Sequence, residues 1–258
     1  MISKARRIKF QIDKIFPLGD PQSVPLLRLM MANDDVRHLQ KLLLSANARA
    51  KTVNDIERSI LNGEILHVFK LLCGHLYEAG NAFRNLEDKC VGLLDAATAK
   101  DKERKADLEY LRQVYAKTPA GAFHYDFLKP IRDYFGFHYK ERQLHESLER
   151  HIKANDLEGN LIVVEYTGLG RYSVSDHLAY SAVQQLLGAT PDNFHQKFSE
   201  AMLEALKVGW ALFEVVDDLL FLIFRIRKDA IIDEQDGEVV VPPEFLRAKK
   251  AATKKSPQ

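Results

Sequence analysis

The sequence predicts an all-α fold, a multihelical bundle carrying two short β-hairpins. Three observations predict it. Apolar residues recur at helical spacing through residues 55–86, at Leu61, Ile65, Val68, Leu72, Leu76, Ala79 and Phe83, in steps of 4, 3, 4, 4, 3 and 4. Glycine and proline number only 13 and 9 in 258 residues, too few for the turn-rich β folds. Runs rich in β-branched residues are confined to two short stretches beside glycine turns. With 46% apolar residues the chain has material for a real core.

The elements follow in order. Residues 24–45 are leucine-rich and read as one helix, or as two short ones meeting near Asn33. Thr52 and Asp55 have capping-box spacing ahead of the helix at 55–86. A charged segment from Lys100 to Asp107 opens a helix ending near Tyr115, and Thr118 to Gly121 is a turn. A long helix is expected over 127–153, capped by Asp126, with Pro130 near its first turn, where proline does least damage. Leu161 to Tyr166 and Arg171 to Val174 flank Gly168 and Gly170 and read as a first hairpin. Ser175 is the expected cap of a helix over 176–187 that Gly188 stops. Thr190 and Pro191 form a start signal for a helix reaching Ile226. Asp236 and Gly237, between Ile231, Ile232 and Val239, Val240, Val241, read as the turn of a second hairpin. This divides the chain into a helical extension (1–50), a main helical domain (51–228) and a short hairpin with a basic tail (229–258).

Charge is uneven although the total is only +1. Residues 1–14 carry +4 and residues 247–258 carry +5, leaving −8 for the body between them. A basic terminus is most simply a solvated end, and it is also suited to touching phosphates. Cys73 and Cys90 are the only cysteines, which excludes a disulfide-stapled scaffold and a multi-cysteine zinc module. The charged N-terminus lacks the apolar run of a signal peptide. Glu214, Asp217 and Asp218 interrupt the most apolar stretch, so no membrane span is expected. The expected location is the cytoplasm.

The chemistry-bearing stretch runs from Pro130 to Tyr139. Arg132 and His138 enclose five residues, Asp133 follows the arginine, and Gly136, Phe137, His138 and Tyr139 close it. This pattern resembles the HEPN superfamily, whose signature is an arginine, four to six residues, then a histidine, with a polar residue after the arginine. The resemblance covers roughly residues 55–226 and is sharp only in the motif. It implies a HEPN-like helical bundle and a metal-independent endoribonuclease in which two subunits bring their motifs together, with RNA as substrate and no cofactor. It also implies a toxin or phage-defence setting, with an antitoxin or regulatory protein as partner. Arg132 would hold the phosphate, His138 would move protons, and Asp133 would orient one of them. In a regular helix Arg132 and His138 stand about 120° apart, so long side chains or the partner motif must close the gap. Members silenced through a tyrosine carry it two residues after the histidine. Here that residue is Lys140, and Tyr139 is adjacent instead. The alternative reading is a non-catalytic helical protein that dimerises or binds RNA or another partner, with His138 continuing the apolar series Leu128, Ile131 and Phe135 into the core.

Other constellations are weaker. Glu64 and His67 match one Glu-x-x-His step, but a di-iron bundle needs two such steps and further carboxylates. Glu214, Asp217 and Asp218 share a helix face, and pairing with arginine or lysine is expected there rather than metal. His145 and His151 lie among Glu141, Glu146 and Glu149 on a solvated face. Gly168 and Gly170 lack the rest of a dinucleotide fingerprint.

Overall fold

The computed structural model describes residues 2–116, 123–133, 145, 148–149, 153, 161–162, 171–241 and 243. These are mostly helical, as expected of an all-α bundle. The elements are β1 (Ile2–Phe10), α1 (Ile12–Ile15), α2 (Ser23–Arg49), α3 (Asp55–Lys89), α4 (Leu93–Thr98) and α5 (Lys102–Tyr115). A π-helical segment (Phe123–Leu128) then runs into α6 (Lys129–Ile131). The strands β2 (Leu161–Ile162) and β3 (Arg171–Tyr172), α7 (Ser173–Leu186), α8 (Phe194–Ile226) and β4 (Ile231–Val240) complete the order. The described chain forms two compact units, to both of which α2, α3 and α8 contribute segments.

The first unit comprises residues 1–38, 78–122 and 206–258. Its core draws Leu29 and Val36 from α2, Phe83 and Leu86 from α3, Leu108, Leu111 and Tyr115 from α5, and Leu212, Val216 and Leu219 from α8. Tyr115 packs against Phe83 at 5.7 Å between ring centroids, and its carbonyl accepts a 2.7 Å hydrogen bond from Arg84. Asp101 starts α5 by accepting from the backbone N–H groups of Glu103 and Arg104, the satisfaction a helix start requires.

A two-stranded antiparallel ribbon also belongs to this unit, and it corrects the expected second hairpin. Asp236 and Gly237 do not turn. They lie inside β4, which is one continuous strand paired along its length with β1. The first ten residues, grouped by sequence with a helical extension, are therefore strand from Ile2 to Phe10. The physical reason is complementary charge across the ribbon. Arg6 is opposite Asp236 and Lys9 is opposite Asp233 in the register. Opposite charges directly across a strand pair stabilise the register. Arg6 donates to Asp236 at 3.0 Å and reaches Glu234 at 3.5 Å. Phe10 anchors one end against Phe16 and Phe224, with ring centroids 6.3 and 5.1 Å away. Because the ion pairs are exposed, Arg6→Glu is expected to lower stability by no more than about 1 kcal/mol at low salt. The deficit should close in about 0.5 M NaCl, and a thermal-melt difference indifferent to salt would refute the electrostatic account.

The second unit comprises residues 39–77 and 123–205. The apolar stripe of α3 is buried as its spacing predicts, with Leu61, Ile65, Leu72 and Leu76 inside. Phe69 meets Phe127 and Phe198, with centroids 6.2 and 5.0 Å away. The first hairpin is present in part, with Leu161 opposite Tyr172 and Ile162 opposite Arg171; its second strand ends at Tyr172, because Ser173 and Val174, expected to be extended, already belong to α7. Thr190 and Pro191 open a helical start in which the Thr190 N–H donates to Asn193 at 2.8 Å. Gly188, at φ +56°, ends α7 in the left-handed region that glycine tolerates.

Of the two readings open for the leucine-rich segment, the structure has the single helix, with Asn33 buried inside an unbroken α2. Two helix starts differ from expectation. Asn54, not Thr52, caps α3, its Oδ1 accepting from the Glu57 N–H at 2.9 Å, while Thr52 donates back to the Arg49 carbonyl at the end of α2. α7 already runs at Ser173, ahead of Ser175.

Candidate active site

The motif arginine lies in a helical stretch that begins earlier than its sequence suggests. The backbone is already helical at Phe123, so Asp126 lies inside the helix and does not cap it. His124, Phe127, Leu128 and Ile131 are all buried, and this apolar side extends the helix toward its N-terminus. Much of the stretch is π-helical, including Arg132 and Asp133 on the far side of α6. Such wide turns are rare and collect at functional sites.

Three charged side chains meet here. Arg132 donates from Nη1 to Asp133 Oδ1 at 2.8 Å, and Lys129 donates to Asp133 Oδ2 at 2.9 Å. Partial burial pushes the Asp133 carboxyl up, but hydrogen bonds and charge from Lys129 and Arg132 outweigh it and hold the carboxyl below its ordinary value. A depressed carboxylate stabilises the fold at neutral pH, and that contribution fades as pH falls through its folded value. The guanidinium of Arg132 also lies 5.3 Å above the Tyr77 ring of α3. On the same tyrosine, the imidazole of His124 stacks at 4.6 Å with only 13° between ring planes. The Arg132 side chain keeps 38% of its exposure, so it is oriented by protein yet open to solvent. The trio carries one net positive charge, suited to a phosphate group.

Of the expected site residues, the structure therefore brings Arg132 and Asp133 together. His138 and Tyr139 lie outside the described residues, as does most of the expected helix over 127–153 and the basic tail 247–258. Sequence reasoning did not single out Tyr77 or His124. Tyr77 follows Leu76 just off the apolar stripe, and His124 precedes Arg132 by eight positions, so only the fold connects them.

The weaker constellations settle differently. Glu214 and Asp218 pair with Arg104, and Asp217 pairs with Arg37. The acids of α8 are thus ion-paired, as their sequence suggested. His67 is exposed and Glu64 half-buried. His145 stands 3.5 Å from Glu149 on an exposed surface. Among the described residues no group of three or more histidines, cysteines or acids is placed to hold a metal ion, and no helix is long and apolar enough to cross a membrane. Comparison with family models, with curated proteins and with solved structures finds no match to the chain.

Proposed function

We propose that the chain is a HEPN-type, metal-independent endoribonuclease that works as a homodimer, with Arg132, Asp133 and His138 as its site. The observation that carries this reading is an arginine pinned by its neighbouring carboxylate at 2.8 Å while its side chain remains accessible. The reaction needs no metal. The 2′-hydroxyl of RNA attacks the adjacent phosphorus, the bond to the 5′-oxygen breaks, and a cyclic phosphate and a free 5′-hydroxyl result. His138 takes or gives a proton, the role for which an imidazole is the usual side chain at cellular pH. Arg132 binds the phosphate and the charge that grows on it in the transition state. Asp133 holds Arg132. A toxin or defence role, with an antitoxin or regulatory protein that restrains the nuclease, follows from the family resemblance.

Incubating the protein with RNA in EDTA tests the reading. Cleavage yielding 2′,3′-cyclic ends is expected. Binding without cleavage would move the chain to the non-catalytic, RNA-binding alternative. Each motif supplies one histidine, whereas two-residue acid–base chemistry is most simply built from two subunits across an isologous interface. Light scattering at micromolar concentration should therefore report twice the chain mass, and a strictly monomeric mass would count against the shared site.

A further inference from the structure

Tyr77 is the meeting point of two groups that are far apart in function and eight residues apart in sequence. Its ring carries the Arg132 guanidinium at 5.3 Å and the stacked His124 imidazole at 4.6 Å. Eight residues of regular α-helix would leave positions 124 and 132 about 80° apart around the axis. The π-turns of Phe123–Leu128 each take up one residue more than an α-turn, which changes that angle and lets both residues reach one ring. His124 is fully buried, so the imidazole braces the tyrosine from the protein side. Arg132 is partly exposed and is held by Asp133 through hydrogen bonding and by Tyr77 through its π face.

We propose that Tyr77 is a positioning residue of the nuclease site, its ring, braced by His124, holding the Arg132 guanidinium where it can grip the scissile phosphate. The inference rests on the nuclease reading above and assigns that site a support that the Arg-x5-His motif does not contain. A guanidinium held by a ring face and a carboxylate loses little freedom when it binds a phosphate with two parallel bonds.

The test is single-turnover cleavage of a defined RNA in EDTA, with a thermal melt for every variant. Tyr77→Leu should cleave roughly 10-fold more slowly than wild type, whereas Tyr77→Phe, which keeps the π face, should stay within about twofold. A pairwise cycle separates positioning from packing. An Arg132→Lys protein keeps the charge, but its ammonium cannot lie flat on a ring. In that background Tyr77→Leu should cost less than about threefold. The same loss in both backgrounds, or a full rate in Tyr77→Leu, would overturn the positioning role. If Tyr77→Leu loses its cooperative melt, Tyr77→Met takes its place under the same criteria. An inert wild-type protein would instead overturn the nuclease reading, and this inference with it.

Discussion

Arg132→Ala and His138→Ala are each expected to abolish RNA cleavage while leaving the helical content nearly intact. General acid–base help from a histidine is worth roughly 10²–10⁴-fold, and a methyl group can neither carry a proton nor bind a phosphate. The two losses should differ in kind. Removing Arg132 takes away a charge-assisted contact, so RNA affinity should fall along with the rate. Removing His138 should leave affinity near normal and slow the chemical step. Asp133→Asn should do less than either, because an amide oxygen still accepts the 2.8 Å bond from Arg132. It would, however, lose the second charge-assisted bond, from Lys129 at 2.9 Å, in its present form. The competing account, a core histidine, predicts another pattern. There His138→Ala costs roughly 1–3 kcal/mol of stability and shows no separate catalytic defect. Cleavage and melting measured side by side decide between them. A well-folded Arg132→Ala or His138→Ala protein that cleaves at the wild-type rate would falsify the site.

How much of this was legible depends on how local the determining interactions are. The stripe on α3 was readable because burial there follows a 3.6-residue period within one segment. The start at Thr190 and the stop at Gly188 were readable for the same reason, since their partners lie within a few residues. The acids of α8 were read as ion-paired because three carboxylates in an apolar run demand cations, although the sequence did not say that Arg104 and Arg37 supply them. The ribbon was not readable. Asp236 and Gly237 offer a strong local turn signal, and it was overruled by pairing with residues some 230 positions away. Charge held the missing clue, since the basic N-terminal segment has its complement in Asp233, Glu234, Asp236 and Glu238, a local cluster hidden within the overall −8 of the body. The candidate site shows the same division. The Arg132–Asp133 pair is adjacent in sequence, so its proximity was foreseeable. The support from Tyr77 and His124 depends on a π-helical register and on packing against α3, neither of which leaves a pattern in the sequence.

The second large effect is structural. Arg104→Ala is expected to destabilise the fold by roughly 2–4 kcal/mol, most strongly at neutral pH. Arg104 of α5 is one cation among three carboxylates. It pairs with Glu214 and lies 3.4 Å from Asp107 and 3.6 Å from Asp218. All four side chains are largely withdrawn from water, with exposures from 20 to 34%. Burial pushes the carboxyls of Asp107 and Asp218 above their ordinary value, and the charge of Arg104 opposes this while neighbouring acids add to it. Removing the guanidinium leaves three partly desolvated negative charges facing one another. The pH dependence follows from the sign. A carboxyl whose folded pKa is raised stabilises the fold while protonated, and that benefit is lost as pH rises through the folded value. In Arg104→Ala the two aspartates are driven higher still, so the deficit against wild type should be largest at neutral pH and should shrink as pH falls into the range where they protonate. For a chain of this length the deficit corresponds to a drop of roughly 4–7 °C in Tm. Arg104→Ala combined with Glu214→Gln, Asp107→Asn and Asp218→Asn should recover a substantial part of it, because the repulsion has gone even though the ion pairs have not returned. Thermal melts of the single and the combined variants across pH check both claims. A deficit of constant size at every pH would mean that Arg104 contributes through its aliphatic packing, and that its charge is incidental.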